Sequence, residues 1–166
     1  MHDQILNILL AHNTWATRTI IDSCESLAPE QLHQRFDIGL GSLHDTLLHI
    51  AGAMLRWSDR VGGRAPRPSP TGKHTVEQLR DVLEEAARSL DETSKDVLEA
   101  GALQATLELA FDGRVLRFSN AAALAHVVTH GMHHRAQALN MLRQLGRTEL
   151  VDNLDVIDWA LQHDPR

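Results

Sequence analysis

Hydrophobic residues recur every three or four positions along most of the chain, which is the period of an amphipathic helix. The first such segment extends from about Asp3 to Leu27, and the second begins at Ser42 and ends before Gly62. Spacings of four and three in the second segment are typical of the contact seam of a helix bundle. The apolar positions are Ile5, Leu9, Ala16 and Ile20 in the first helix, and Leu43, Leu47, Ile50, Met54, Trp57 and Val61 in the second.

Two more long helices are predicted after a stiff, proline-containing connector at residues 65–71. The third helix, about Thr75–Ala100, contains eight acidic and three basic residues, which predicts an outer helix with a solvated acidic face. The fourth helix begins with Ser119 or Asn120 as its capping residue and extends to about Leu145.

Between the third and fourth helices the hydrophobic period changes to two. Leu107, Leu109 and Phe111 alternate with other residues, Asp112 and Gly113 form a tight turn, and a second strand follows, which predicts a β-hairpin. A last amphipathic segment covers about Asn153–Gln162. The pattern therefore predicts an all-α fold: a four-helix bundle with a short β-hairpin before the fourth long helix and a short C-terminal helix.

Composition adds that the chain is an ordinary globular protein. Its 166 residues, 43% hydrophobic and 23% charged, predict one domain covering residues 1–166. No apolar run approaches the roughly 20 residues of a membrane span, and the N-terminal segment lacks a basic region, so we expect a cytoplasmic protein without membrane contact. Cys24 is the single cysteine and cannot form an internal disulfide, and a net charge of −6 argues against a nucleic-acid partner.

The chain contains 11 histidines, and four of them lie in the fourth helix. Residues three or four apart on a helix are neighbours, so His126 with His130, or His130 with His134, could present two imidazoles to one metal. At 100° per residue, His134 lies inside the apolar arc and His130 at its edge, whereas His126 and His133 lie on the polar side. A single helical histidine is most often a hydrogen-bonded core or surface residue, but for two inward imidazoles a metal site is as well supported as that structural role.

The sequence pattern alone does not identify a third metal ligand. His12 lies on the inward face of the first helix and is better interpreted as a hydrogen-bonded pocket residue than as a ligand. The second helix offers His44 and His49, and periodicity selects neither. Gly52 and Ala53 form a patch of small residues near His49 that leaves room for a neighbouring segment or a solvent pocket.

Three stretches of sequence carry a resemblance to a known family. They are LLAHNTWATR in the first helix, SLHDTLLHIAGAMLRW in the second and HVVTHGMHHRAQALNMLRQLG in the fourth. Over essentially its full length the chain resembles the DinB family, also described as YfiT-like metalloenzymes. The resemblance implies a metal triad of His49, His130 and His134, of which the last two agree with the helical period. Ala136 departs from the family's usual glycine in an H-R-G-Q string.

The resemblance also implies an up-down-down-up bundle and a homodimer. Three neutral imidazoles suit a divalent metal ion, with Zn²⁺ and Ni²⁺ favoured and Fe²⁺ as an alternative, and they leave coordination positions open. Relatives that resemble thiol S-transferases or thiol-dependent isomerases imply a small-molecule substrate and a low-molecular-weight thiol. Assisting groups are undecided; the candidates are Asp45, His12, Arg56, Glu108 and Asp112, each of which is better interpreted as an ordinary surface or capping residue.

A second hypothesis is a non-catalytic, dimeric, stress-associated binding protein whose histidines hold a structural metal or are vestigial. Other chemistries are disfavoured, since the sequence has no H-E-x-x-H, G-x-S-x-G, P-loop or G-x-G-x-x-G motif. A single E-x-x-H, from Glu30 to His33, lacks the second copy that a di-iron bundle requires. The leading expectation is a metal-dependent enzyme of stress response or detoxification.

Overall fold

The structure is a computed structural model that describes residues 2–147 and 154–163. Within these ranges the chain forms six α-helices and one two-stranded antiparallel sheet. The elements are α1 (His2–Ser23), α2 (Pro29–Leu32), α3 (Leu43–Val61), α4 (Val76–Glu99), β1 (Thr106–Phe111), β2 (Arg114–Ser119), α5 (Asn120–Gln144) and α6 (Val156–His163). The mostly helical fold and the hairpin before the last long helix are confirmed. No helix in the described ranges has the length and apolar character needed to cross a membrane.

Capping residues set the starts of the long helices where the sequence predicted them. Ser42, Thr75 and Ser119 each accept a hydrogen bond from the backbone N–H three residues later, which satisfies a donor that the helix itself leaves free. The first helix is shorter than predicted: it ends at Ser23, and a single 3₁₀ turn occupies Cys24–Ser26. The start of α6 was predicted at Asn153, which lies outside the described residues.

The core lies between the four long helices. Helix α3 packs against α4 and α5, and α1 packs against the same two helices from the other side. Helix α3 is buried along most of its length because it contacts neighbours on two faces. The largest fully buried side chains are Ile20, Ile21, Leu43, Leu47, Ile50, Met54, Leu79, Leu83, Leu90, Leu124, Met141 and Leu142.

Two faces differ from the hydrophobic pattern. Ile5 is 55% exposed and Met132 is 60% exposed, although both were predicted to lie on apolar inward faces. In α5 only one side of the broad apolar arc is buried, including Val127 and Ala138, and the same side contains the charged residue Arg135, which is 5% exposed. Hydrophobicity alone therefore misplaced part of the buried face of α5, because the charged residue Arg135 occupies a packed position there.

Polar contacts fix how the long helices meet. The backbone N–H of His74, just before α4, donates to Nε2 of His44 in the first turn of α3 at 3.0 Å. Near the other ends of these two helices, Oγ of Ser58 lies 3.0 Å from Oγ1 of Thr93. Helices α3 and α4 thus contact each other close to both their starts and their ends.

Helices α1 and α5 are joined by a buried polar contact. The Arg135 guanidinium donates to the carbonyl and to the side-chain oxygen of Asn13, and also to Oγ1 of Thr17. Gly131 allows this approach, because a Cβ at that position would lie only 2.1 Å from Oδ1 of Asn13. The sequence predicted neither the burial of Arg135 nor its partner.

A buried carboxylate holds the connector between α3 and α4. The side chain of Asp59 is 4% exposed and accepts hydrogen bonds from the backbone and guanidinium of Arg67 and from Arg64. These contacts keep the pKa of Asp59 well below its usual range, chiefly through the Arg67 side chain. Arg67 lies two residues before Ser69. The same contacts therefore also fix the part of the connector that follows Arg67 and passes over α3.

Candidate metal centre

Three histidines from two helices form one cluster. His130 and His134 lie one turn apart on α5, so their side chains project from the same side of the helix. His49 comes from the middle of α3, and its Nε2 lies 3.0 Å from Nε2 of His130. Ring centroids are 4.9 Å apart for His49 and His130, 4.6 Å for His49 and His134, and 4.4 Å for His130 and His134.

The donor atoms of this cluster fit a single metal ion. One ring nitrogen of each histidine can be chosen so that all three lie within 4.8 Å of one another, and this group could hold a metal ion. Two nitrogens bound to one tetrahedral zinc at 2.0–2.1 Å are separated by about 3.3 Å, close to the spacing of the nearest pair here. All three rings are half-buried, so the cluster remains partly accessible. The residue set and its spacing therefore match the chemistry of an open three-histidine site.

The environment keeps the three rings neutral. Burial, together with the nearby His134 and His49, lowers the pKa of His130 to about 3. Burial also lowers the pKa of His49 and of His134, with the charges of His134 and Arg56 contributing for His49. Neutral imidazole is the form that binds a metal, so the cluster stays competent to bind well below neutral pH.

Gln137 orients one of the rings. Its Oε1 lies 2.9 Å from Nδ1 of His134, and an amide oxygen can only accept, so Nδ1 carries the proton and Nε2 keeps its free lone pair. The Gln137 amide nitrogen donates to Nε2 of His133 at 3.0 Å. Gly39 packs on this amide, since a Cβ there would lie 2.2 Å from Oε1. Hydrogen bonds of this kind fix the tautomer and direction of metal-binding histidines.

The small-residue patch on α3 admits the connector next to His49. A Cβ on Gly52 would lie 2.7 Å from Cδ of Pro70, so the proline packs directly on the helix backbone. A cleft of about 340 Å³ lies at this point, and its lining includes His49, Arg56, Ser69 and Pro70. The prediction that Gly52 leaves room for a neighbouring segment is confirmed.

The remaining histidines have other surroundings. His12 is buried and lies 2.9 Å from the carbonyl of Leu154 through its Nε2, which matches the predicted hydrogen-bonded pocket residue. His44 is buried and bonds Asp45 and the backbone of His74, outside the cluster. His126 and His133 are exposed, as their position on the polar side of α5 predicted.

The proposed assisting groups are only partly near the cluster. Asp45 lines the cleft with His49, but its carboxylate binds Arg35 and His44. Glu108 pairs with Arg117 across the hairpin, and Asp112 occupies the hairpin turn with a φ of 49°. Arg56 also lines the cleft. Gln137 was not predicted as a supporting residue, because the helical period placed it on the solvent side. Its position in the H-R-A-Q string was the sequence signal that could have identified it.

Comparison with known proteins identifies the family. The sequence model of the DinB family matches residues 1–165. The chain belongs to the DinB family. The DinB protein of Bacillus subtilis (strain 168) is 26% identical over 153 residues, covering 83% of this chain and 84% of the relative.

A solved DinB structure has the same fold. A DinB-like protein from Bacillus cereus superposes with a TM-score of 0.57 at 21% identity, covering 82% of this chain and 87% of that one. The departure at Ala136 changes little in this structure, because Ala136 is exposed on α5. Its neighbours Arg135 and Gln137 make the contacts with Asn13 and His134 that are described above. The cluster of three histidines lies among the described residues of this DinB chain.

Proposed function

We propose that this DinB-family protein is a metal-dependent enzyme that holds one divalent metal ion with His49, His130 and His134. The supporting observation is the convergence of three neutral imidazoles from α3 and α5, of which His49 also lines a cleft. Imidazole ligands without carboxylate or thiolate favour Zn²⁺ or Ni²⁺, with Fe²⁺ as an alternative. Three protein ligands with open positions are characteristic of catalytic sites, whereas structural zinc sites have four.

The proposed reaction is a thiol-dependent S-transfer to a small electrophile, in detoxification or stress response. A bound divalent metal lowers the pKa of a coordinated thiol or water and so supplies a nucleophile at neutral pH. The protein's own contribution is to keep the three rings neutral, to fix His134 through Gln137, and to confine the substrate in the cleft beside His49.

The proposed scaffold is a single-domain four-helix bundle with up-down-down-up direction, assembled as a cytoplasmic homodimer. Contacts between α3 and α4 near both their starts and ends support a parallel pair. His49 opposite His130, and Trp57 opposite His126 with ring centroids 5.0 Å apart, support an antiparallel α3 and α5. Light scattering of the purified protein measures the oligomeric state directly.

Metal content tests the proposal. Protein purified without a histidine tag should contain, or take up at neutral pH, one equivalent of Zn²⁺ or Ni²⁺ per chain. Alanine at His49, His130 or His134 should abolish uptake, whereas alanine at His126 or His133 should not. A metal-free preparation that refuses both ions, or equal losses for all five variants, would contradict the proposal.

A cobalt-substituted sample tests the thiol step separately from metal binding. An open site should give a visible absorption spectrum that changes when a small thiol is added, because the sulfur enters the coordination sphere. A spectrum that is insensitive to thiols would instead favour a non-catalytic protein with a structural metal. Transfer of the thiol to a model electrophile is then assayed with the metal that the protein retains.

A further inference from the structure

The cleft beside His49 has a preformed wall that is built by the connector. Its lining includes Ser69, Pro70 and Thr71 of the connector, which lie opposite the side of α3 that carries His49 and Arg56. The connector is held there by the hydrogen bonds from Arg67 to the buried Asp59 and by the packing of Pro70 on Gly52. At about 340 Å³ the cleft suits a small molecule, not a macromolecule.

Arg56 is a cation without a counter-charge in this cleft. Its Nη1 donates to Oγ of Ser69, and its Nε is buried without a hydrogen-bond partner among the described residues. Over residues 2–147 and 154–163, no ion pair joins Arg56 to an acid, whereas Arg67 and Arg80 on the same protein are each paired.

The acid that lines the same cleft does not neutralise Arg56. Asp45 accepts hydrogen bonds from Arg35 at 2.8 Å and from His44 at 2.9 Å. Both contacts occupy the carboxylate of Asp45. They lower its pKa, although partial burial acts to raise it. The cleft therefore carries one uncompensated guanidinium, and a guanidinium with free donors binds a carboxylate well because the two planar groups match.

We propose that Arg56 forms an anion subsite of this cleft, so that the protein binds a small molecule bearing a carboxylate, with the carboxylate at Arg56 and the remainder directed to His49. The orientation of the ligand toward His49 rests on the proposed metal site, whereas the anion subsite at Arg56 does not. Ser69 supports the guanidinium from the connector and sets its position. Arg56 is in this sense a specificity residue for the substrate or thiol.

Matched thiols test the subsite on the cobalt-loaded protein. We expect 3-mercaptopropionate to bind at least tenfold more tightly than uncharged 2-mercaptoethanol, measured by the thiol-dependent change of the cobalt spectrum. Arg56→Gln should reduce this preference to about one by weakening only the anionic thiol, and Arg56→Lys should retain part of it. Arg60→Gln is the control, because Arg60 lies one turn further along α3 over Trp57 and does not line the cleft. An unchanged preference in Arg56→Gln overturns the proposal.

A second measurement needs no metal and separates the two proposals. In metal-free protein, succinate should shift the ¹⁵N resonance of the Arg56 Nε–H group in a saturable way, and the shift should weaken as chloride is raised. If the protein takes up no cobalt but the Arg56 resonance responds to succinate, the proposed metal function fails and the subsite stands. If cobalt binds and succinate leaves the resonance unmoved, the subsite fails and the metal function stands.

Discussion

Gln137 and His134 are joined by a hydrogen bond of 2.9 Å between Oε1 and Nδ1, one turn apart on α5. The bond places the proton of His134 on Nδ1 and leaves Nε2 free to bind a metal. Because Gln137 is itself held between His133 and the backbone of Gly39, the direction of the His134 ring is fixed before any ligand arrives.

Removal of this hydrogen bond should weaken metal binding. We expect Gln137→Ala to lower the affinity for Zn²⁺ by roughly 10- to 100-fold, since the ring loses its fixed tautomer. Asn140→Ala is the control: Asn140 is exposed on the same helix and bonds only Gln144 among the contacts seen here. Competition with a chromogenic chelator measures both affinities. Equal affinities in the two variants would contradict a supporting role for Gln137.

Gly39 should be needed for the same reason. Its φ of 52° and the closeness of the Gln137 amide leave no space for a side chain. Gly39→Ala should therefore cost about 1–2 kcal/mol of stability and also reduce metal affinity. Gly63→Ala is a matched control with a φ of 68° but open space around its Cβ position, so it should lose stability only. Thermal unfolding and chelator competition separate the two effects.

The metal-free protein should become less stable as the pH falls from about 7 toward 5. The unfolded chain binds protons on its histidines near pH 6.5, whereas burial and the neighbouring histidines lower the pKa of His130 to about 3 in the folded state. The unfolded state thus holds more protons in this window, so stability rises with pH. For His130 the change should be about 1 kcal/mol after allowance for solvent screening of the half-exposed ring.

Urea unfolding at several pH values checks this dependence. His130→Gln should show a flatter change of stability between pH 5 and 7 than the wild type, and the exposed His133→Gln should keep the wild-type slope. Metal affinity should also fall on acidification, because protons compete for the same ring nitrogens. With the cluster pKa values lowered, that fall should begin below pH 6.5. An affinity already halved at pH 7 would be inconsistent with buried, neutral ligands.

Asp59 should contribute to stability at all pH values above about 5. Its pKa is held low by Arg67, so its contribution is complete above the unfolded-state pKa near 4 and is lost as the pH falls further. Asp59→Asn should cost about 2 kcal/mol at pH 7, because two arginines lose a buried acceptor that holds the connector. Asp91→Asn, at an exposed pair with Lys95, should leave stability nearly unchanged.

Local signals in the sequence were sufficient for most elements. Ser42, Thr75 and Ser119 set helix starts because a capping oxygen satisfies the first free backbone donors, which depends on neighbouring residues only. The spacing of His130 and His134 predicted a shared direction, because helical geometry alone brings residues four apart together. The alternation around Asp112 and Gly113 predicted the hairpin, and its register pairs Leu109 with Leu116.

The tertiary structure decided which segments of the chain contact one another. His49 joins the α5 pair because α3 packs on α5, and the period of α3 did not select it. Arg135 is buried because Asn13 of α1 accepts its hydrogen bonds, and the exposure of Met132 depends on which neighbours cover α5. Arg56 faces a cleft only because the connector returns over Gly52. Local sequence determines helices, turns and neighbours within one turn, whereas contacts between separate segments, such as those across 81 and 122 residues, depend on how whole helices pack.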